Sequence, residues 1–213
     1  MPPRKLTRVS VVEAAVAQAD ALGIDALTMR SLARDLGVEA MSLYHHVANK
    51  EALLDAMVDA VYAEYRQVSP GGDWRAELRL RSESVRDTLV RHPWALPLIE
   101  SRLTPGPATL AAHDANIACL RAAGFAPRQV ALAYALLDAF TYGFVLQQLM
   151  VPFSNGDEAA AFVQGDELWS AMAAYPNMVW FTQEVVLQSG YSFEREFAPG
   201  LDLVLDAIAS LKA

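Results

Sequence analysis

The segment from Thr28 to Leu54, TMRSLARDLGVEAMSLYHHVANKEALL, constrains the fold of this chain more than any other stretch. Thr28 can cap a helix with its hydroxyl, Gly37 ends that helix, and Glu39 falls in the first turn of a second one. Apolar residues recur at the three- and four-residue spacing of a buried helix face: Leu32, Ala33, Leu36, Leu43 and Val47. Two short helices joined by a glycine turn predict a helix-turn-helix, whose second helix is of the kind that enters a DNA major groove.

The outward-facing residues of that second helix are small, aromatic or hydrogen-bonding rather than charged, which suits a surface that contacts a partner. They are Ala40, Met41, Ser42, Tyr44, His45 and His46. Asn49 can cap a third helix, so Lys50 lies near a helix N-terminus, where N–H groups and the helix dipole favour phosphate oxygens. We therefore expect Lys50 to hold the DNA backbone rather than to read bases. Adjacent histidines point to different sides of a helix, so no metal site is predicted there.

The same segment resembles the DNA-binding domain of the TetR family of bacterial transcriptional regulators, and the tetracycline repressor's subgroup is the most similar. The likeness is in register and without gaps at Thr28, Arg30, Leu32, Ala33, Leu36, Gly37, Val38, Leu43, Tyr44, His46, Val47, Asn49, Lys50, Leu53 and Leu54. It continues more weakly in Trp74, Leu78, Arg79, Gly124, Phe125, Phe140, Thr141, Gly143 and the segment from Phe197 to Ile208. The resemblance covers nearly the whole chain and implies a homodimer that binds a double-stranded DNA operator.

The resemblance also implies which side chains contact DNA. Tyr44 would contact phosphate and a thymine methyl group, and His46 would lie near phosphate. Ala40 and Met41 replace the Gln-Pro pair of the tetracycline repressor, which removes a bidentate amide contact to a base and predicts a different operator sequence. Arg30, Ser42 and His45 are then the residues for hydrogen-bonded base readout. The predicted DNA-binding residues are Thr28, Arg30, Ala40, Met41, Ser42, Tyr44, His45, His46 and Lys50.

Charge is divided unevenly along the chain, whose net charge is −8. Residues 1–50 contain six Lys or Arg and five Asp or Glu, a net of +1, whereas residues 51–213 contain eleven and twenty, a net of −9. Binding to phosphate needs local positive charge, so acid is concentrated away from the predicted DNA surface. Because a module of +1 is only mildly basic, we expect modest non-specific affinity and dependence on two modules binding together.

Composition predicts a globular protein of the reducing cytoplasm. Hydrophobic residues make up 54% of the 213, enough for a buried core. The single cysteine, Cys119, excludes an intramolecular disulfide, and the N-terminal PPRKLTR lacks the apolar stretch of a secretory signal.

No strand-like alternation occurs along the chain, so the predicted fold class is all-α. A three-helix DNA-binding domain is expected at residues 1–50, continuing into a linker helix at 50–66, and a larger ligand-binding and dimerisation domain at 67–213. The first helix is expected from a Thr7 cap to Leu22, with Val9, Val12, Val16 and Ala19 on one face. Later helices are expected at Trp74–Arg91, in a short segment among Pro93–Pro107, at 108–123, at Pro127–Met150 and at about Ser192–Leu211.

The predicted helix Pro127–Met150 is apolar on almost every side from Val130 to Leu146. A membrane span is one interpretation, but Arg128, Asp138 and the glutamines near its end leave fewer than the roughly 20 apolar residues that a span needs. A helix that is apolar all round must be buried all round. We therefore assign one face to the core and the other to a second subunit, with the last helix completing a four-helix interface.

A small-molecule effector is expected in the larger domain. Candidate lining residues are Trp94, His113, Asn116, Tyr134, Asp138, Tyr142, Trp169, Met178 and Trp180, each of which can equally be a core residue. The resemblance places Asn116 where the tetracycline repressor has a drug-binding Gln. It also places Ile99, Ala139 and Gln147 at the positions of the metal-drug chelate, and these bind Mg²⁺ poorly. An apolar or aromatic effector, with no cofactor and no metal, is therefore predicted.

Two other classes of function are alternatives to DNA binding. An all-α enzyme would need paired carboxylates, an HExxH motif, an activated nucleophile or a glycine-rich phosphate loop, and the sequence contains none of these patterns. A protein-interaction adaptor would use the helix-turn-helix only as a scaffold. Salt-dependent binding to DNA distinguishes a regulator from such an adaptor.

Overall fold

The computed structural model describes residues 6–163 and 166–212, with the backbone alone at 166 and 167. These residues form twelve α-helices and no strand, which confirms the predicted all-α fold. Arg4 and Lys5, which contribute to the charge of the N-terminal region, lie outside the described residues.

The chain divides into two compact units, the first ending at Tyr134 and the second beginning at Ala135. This division falls inside a long helix, and the domain boundary expected at 50–66 stays a prediction. The first unit contains α1 (Arg8–Leu22), α2 (Met29–Leu36), α3 (Ala40–Leu43), α4 (Lys50–Glu64), α5 (Trp74–Arg91), α6 (Ala95–Ser101), α7 (Pro107–Ala122) and the start of α8 (Pro127–Met150). Helix α4 therefore ends two residues before the expected Arg66.

Side-chain caps fix where the N-terminal helices begin. Thr7 and Thr28 each form a reciprocal capping box with the serine three residues later, and the Asn49 carboxamide oxygen accepts from the Ala52 N–H at 2.8 Å. Such caps satisfy N–H groups that have no partner within the helix. Gly37 ends α2 at φ 67°, a left-handed conformation that favours glycine. Glu39 precedes α3 as its N-cap rather than lying in its first turn, as the sequence had suggested.

The N-terminal helices pack around a small apolar core in which Leu27, Leu32, Leu43, Leu53 and Met57 are fully buried. Helix α1 contacts both α2 and α4. The predicted face of α1 is wrong at Val9, which is 66% exposed, because Val11 and Ala15 instead point inward beside Val12 and Ala19. Burying one aliphatic side chain contributes about 1.5–3 kcal/mol, so this core holds the helix-turn-helix in shape.

Glu77 fixes the turn between α4 and α5. Its carboxylate accepts from the Ser69 backbone N–H at 3.1 Å and lies 3.4 Å from the Arg66 guanidinium. Gly72 leaves room for it, since a Cβ there would lie 3.2 Å from Glu77 Cγ. The Ser69 N–H, more than the Arg66 guanidinium, lowers the pKa of Glu77 below its ordinary value of 4.5.

The second unit packs around aromatic rings. It contains the rest of α8, then α9 (Gly156–Val163), α10 (Asp166–Met172), α11 (Pro176–Phe181) and α12 (Phe197–Ser210). Phe197 of α12 lies 5.5 Å from Phe140 and 5.0 Å from Phe144 of α8, between ring centroids. Gly200 permits this approach, because a Cβ there would lie 2.8 Å from the Phe140 ring. The last helix begins at Phe197 rather than Ser192, since Phe193–Glu196 forms a 3-10 turn.

Helix α8 is the one helix of the described chain that is long and apolar enough to cross a membrane, with a mean hydropathy of 1.4 over its most apolar 18 residues. A third of that stretch is buried within the protein. The remaining exposed apolar residues of α8 include Leu132, Leu136, Leu146 and Leu149. One face of α8 is thus covered by its own chain, and the other presents leucines.

We predict that Glu77→Gln makes the melting temperature less dependent on pH below about 5. A carboxylate whose folded pKa is lowered stabilises the fold fully above its unfolded pKa, and this stabilisation is lost as pH falls through the folded value. Glutamine cannot ionise and lacks this contribution. Thermal unfolding from pH 7 to 3 measures it, with the exposed Glu100→Gln as control. If the melting temperatures of wild type and Glu77→Gln fall by the same amount between pH 5 and pH 3, the role given to Glu77 is contradicted.

Candidate nucleic-acid interface and ligand cavity

The segment after Gly37 is a single helical turn followed by tighter turns, not a long helix. Residues Ala40–Leu43 are α-helical, and residues 44–46 continue as turns in which the His46 N–H donates to the Leu43 carbonyl at 2.9 Å. His45 and His46 therefore lie after α3 rather than within it. Leu43 and Val47 anchor the segment in the core, with exposures of 0% and 4%.

The predicted DNA-contacting residues lie on the exposed side of these elements. Met41 is 72% exposed and Tyr44 is 43% exposed although both flank the buried Leu43. Arg30, His45 and Lys50 are exposed, and Ala40, Ser42 and His46 are partly buried. The Thr28 hydroxyl accepts from the Ser31 N–H at 3.0 Å, so in this structure it caps the N-terminus of α2. The DNA contacts of all nine residues stay predictions.

A cavity of about 570 Å³ lies between α7 and the beginning of α8. Pockets that hold small molecules have volumes of this size and mostly apolar walls. His113 and Tyr134 form a hydrogen bond in its wall, and Phe125 packs edge-on against Trp74 at 5.1 Å. The cavity is lined by His113, Ile117, Arg121, Phe125, Pro127, Val130, Ala131 and Tyr134. Of the predicted pocket residues, His113 and Tyr134 are brought together here.

His113 connects this cavity to α4. Its ring lies 5.6 Å from the ring of Tyr134 in α8 and 5.7 Å from the ring of Tyr62 in α4, between centroids. The same histidine borders a second cavity of about 300 Å³, which also contacts Tyr62, Ile99 and the segment from Arg102 to Gly106. A molecule that displaces His113 would therefore act on α4 through direct ring contact.

The segment from Arg102 to Thr109, which we term the clasp, binds a row of carboxylates on α4. Arg102 donates to the Glu51 carbonyl at 2.9 Å and to its carboxylate at 3.0 Å, and its Nε pairs with Asp55. One turn further, Asp59 accepts from the Thr109 N–H at 2.8 Å and from its hydroxyl at 3.0 Å.

Charge and shape both favour the clasp. Burial opposes the charge on Arg102, but the hydrogen bonds to Asp55 and Glu51 outweigh it and raise the pKa of Arg102. A Cβ at Gly106 would lie 2.2 Å from Asp59 Cγ, so only glycine lets the chain approach α4 so closely. Helix α4, which begins at Lys50, is consequently held at three successive turns by the clasp.

A second set of contacts joins α1 and α4 to the end of α5. The buried His92 lies 2.7 Å from Asp20 through Nδ1 and 3.2 Å from Glu64 through Nε2. The Trp94 indole N–H donates to Asp20 at 2.6 Å. Trp94 is thus engaged with α1 and is not among the residues lining the 570 Å³ cavity.

The remaining predicted pocket residues are scattered. Asn116 is 2% exposed on the packed face of α7, and neither atom of its carboxamide has a hydrogen-bond partner among the described residues. Asp138, Tyr142 and Trp169 are partly buried in the second unit, where Met178 and Trp180 are 54% and 61% exposed. Their participation in a ligand site stays a prediction.

A larger cavity of about 740 Å³ lies between α1 and α4. Its polar rim includes Asp20, Asp55, Asp59 and Glu64, which already pair with His92, Arg102, Thr109 and Arg91. The 570 Å³ cavity, whose walls are mostly apolar, is therefore the better candidate for a ligand.

Sequence reasoning missed the clasp and most of the cavity lining. Glu51, Asp55 and Asp59 recur every four residues, which is a visible signal for a stripe of carboxylates on α4. His113, Ile117 and Arg121 share the same spacing on α7. Neither stripe by itself shows what it contacts, because the clasp that binds the α4 carboxylates and the α8 residues that complete the cavity lie elsewhere in the sequence.

Comparison with known proteins assigns the family. Residues 11–57 match the model of bacterial regulatory proteins of the tetR family, and residues 68–211 match the tetracyclin repressor-like C-terminal domain. The chain belongs to the TetR family. It is a DNA-binding transcriptional regulator that responds to a ligand, and the segment matched by the first model contains the helix-turn-helix.

Relatives within the TetR family include the HTH-type transcriptional repressor DrrR1 of Streptomyces coeruleorubidus, 31% identical over all of this chain and 80% of that protein. The class C tetracycline repressor of Escherichia coli is 29% identical over 98% of this chain and 93% of its own length. ActR of Streptomyces coelicolor in complex with actinorhodin is 26% identical, covers 97% of this chain and 98% of its own, and has a TM-score of 0.75. The predicted family resemblance is confirmed, and the TetR family and these neighbours are regulators rather than enzymes.

As a TetR-family regulator, the protein should depend on Lys50 for binding to DNA backbone. We expect Lys50→Ala and Tyr44→Ala each to weaken binding to a duplex that wild type selects from a random-sequence pool. Because a dimer loses two phosphate contacts, Lys50→Ala should also reduce the slope of log K against log salt concentration by about 2. Fluorescence anisotropy at several salt concentrations measures both effects.

The matched control is Lys212→Ala, which removes the same charge from the exposed end of the chain, beyond α12. It should leave affinity and salt slope as in wild type. Unchanged affinity in both Lys50→Ala and Tyr44→Ala would show that the helix-turn-helix does not bind DNA in the expected way.

Proposed function

We propose that the protein is a homodimeric repressor that binds a palindromic operator and is released from it by a small apolar or aromatic effector. The observation that carries this proposal is the connection between cavity and DNA module. His113 borders the 570 Å³ cavity and contacts Tyr62 of α4, while the clasp grips the same helix through Glu51, Asp55 and Asp59. Helix α4 begins at Lys50, beside the predicted DNA surface.

The cavity walls support the class of effector. Phe125 is 5% exposed and Val130 7%, and together with Ile117 and Pro127 they offer apolar contact area. The hydrogen-bonded pair of His113 and Tyr134 adds polar groups to this apolar wall. We propose that a polar group of the effector binds them.

Tetracycline chelated to Mg²⁺ is not the proposed effector, although tetracycline repressors are among the relatives. Ile99 borders the second cavity, and Ala139 and Gln147 are exposed on α8. None of the three offers the carboxylate or imidazole that would replace water around the metal. Among the described residues, no three His, Cys, Asp or Glu side chains form a group that could hold a metal ion.

The proposed dimer uses the uncovered faces of α8 and α12. Leu136, Leu146 and Met150 of α8 are exposed by 36%, 51% and 75%, and Leu203 of α12 is exposed by 72%. Exposed leucines arranged along one face mark an association surface in a protein that is not in a membrane. TetR-family regulators act as dimers, and two copies of each helix would form the four-helix interface. We further propose that the protein works in the cytoplasm, where its operator lies.

Release follows from the distance between the two helix-turn-helix modules. Two recognition segments fit one duplex only when their separation matches about 34–36 Å or a multiple of it. An effector that moves His113 shifts Tyr62 and the clasp, and so changes the inclination of α4 and the position of Lys50. The effector must bind the moved state about tenfold more tightly, about 1.4 kcal/mol, for each tenfold loss of operator affinity.

The proposal is tested by operator release in the presence of N-phenyl-1-naphthylamine, an uncharged aromatic probe. We expect saturating probe to weaken wild-type binding to the selected duplex by about tenfold or more. Arg102→Gln should keep probe binding but lose most of this response, because the clasp then releases Glu51 and Asp55. Anisotropy of the labelled duplex measures the response, and probe fluorescence measures occupancy of the cavity.

Arg128→Gln is the matched control, since Arg128 is exposed at the start of α8 and does not border the cavity. It should respond as wild type does. A wild-type protein that binds the probe in the cavity but keeps full operator affinity would contradict release by an aromatic effector. A full response in Arg102→Gln would remove the clasp from the mechanism.

A further inference from the structure

We infer that the effector is an elongated aromatic acid, whose acidic group binds Arg121 at the mouth of the cavity and whose other end reaches His113 and Tyr134. This inference rests on the proposed function, because it names the chemistry of the molecule that the 570 Å³ cavity binds. Among the described residues that line the cavity, Arg121 is the one that carries a permanent charge.

The position of Arg121 makes it available to a ligand. It lies in the last turn of α7, is exposed, and forms no ion pair with any residue in the ranges 6–163 and 166–212. A guanidinium beside an apolar wall is suited to an acid, since its planar N–H groups match a carboxylate or sulfonate and the weakly hydrated ion tolerates partial burial. An arginine in the last turn also complements the helix dipole, which is the alternative explanation of its presence.

The spacing along α7 sets the length of the ligand. His113, Ile117 and Arg121 follow one another every four residues and face the same cavity. At 1.5 Å per residue, the Cα atoms of His113 and Arg121 are about 12 Å apart. Ile117 and Phe125 give the stretch between them apolar walls. A ligand that uses both ends is therefore long and flat, with hydrogen-bonding and acidic groups at opposite ends.

The two ends of the cavity orient this ligand. An acidic group meets the opposite charge at Arg121, whereas no permanently charged side chain among the described lining residues lies at the His113 end. The His113–Tyr134 pair offers a phenol and an imidazole, which suit a hydroxyl or carbonyl group of the ligand.

The test compares two probes that share one aromatic framework, 8-anilinonaphthalene-1-sulfonate and the uncharged N-phenyl-1-naphthylamine. We expect wild type to bind the sulfonate about fivefold more tightly than the uncharged probe, as for a charge-assisted contact that is partly exposed to solvent. Arg121→Gln should abolish this preference without weakening the uncharged probe, whereas Arg121→Lys should retain most of it. Fluorescence titration measures each dissociation constant.

Two controls separate this inference from the proposed function. Arg128→Gln removes an equal charge outside the cavity and should keep the preference, while Ala131→Trp fills the cavity and should abolish binding of both probes. Equal affinity for the two probes in wild type, or a preference that survives in Arg121→Gln, overturns the acidic ligand but leaves the cavity as the effector site. Binding of both probes that persists unchanged in Ala131→Trp overturns both proposals, because the cavity is then not the binding site.

Discussion

The grip of the clasp on α4 is the interaction on which the proposed regulation depends. Arg102 and Thr109 bind three carboxylates of that helix at successive turns. Gly106 has no side chain, which lets the clasp lie directly against Asp59 of α4. Charge-assisted hydrogen bonds of this kind are strong and geometrically specific, and the proposed regulation uses them to carry a displacement of the clasp to α4. The helix-turn-helix core buries Leu53 of α4 fully beside Leu32 and Leu43, so the proposed regulation has this core move with α4.

The proposed ligand site and the predicted DNA surface contact opposite ends of the same helix, α4. The aromatic contacts from Tyr134 through His113 to Tyr62 reach α4 near its C-terminal end, and Asn49 caps its beginning beside Lys50. Such coupling is a difference in free energy between two positions of α4, and each ligand changes it only by preferring one of them. A regulator of this design needs no contact between its effector and DNA.

Local signals in the sequence account for much of the fold. Caps at Thr7, Thr28 and Asn49 and the glycine at position 37 fixed the helix boundaries of the N-terminal region, because capping depends on a few neighbouring residues. The buried face of α1 was less predictable, since the valines at positions 9, 11, 12 and 16 are compatible with more than one apolar face of a helix. Which valine is buried depends on α2 and α4, which local spacing does not reveal.

The candidate site was harder to read, because its residues come from separate helices. His113 and Tyr134 were expected near a ligand and do share a cavity wall. Trp94, also expected there, instead donates a hydrogen bond to Asp20 of α1. Arg102, Gly106 and Arg121 carried no signal of their own, since an arginine or glycine in a loop or helix end is common. Only packing shows that their neighbours are carboxylates or an apolar cavity.

The most direct test of the account is the distance between the two DNA modules of the dimer, measured by electron spin resonance between nitroxide labels. Arg34→Cys, whose side chain is 80% exposed on α2, carries the label in a Cys119→Ala background. The account predicts one narrow distance with the operator duplex bound and a shifted, broader distribution when Arg102→Gln releases α4 in the absence of DNA. Distributions that coincide in wild type and Arg102→Gln without DNA, or the lack of any distance between subunits, would contradict it.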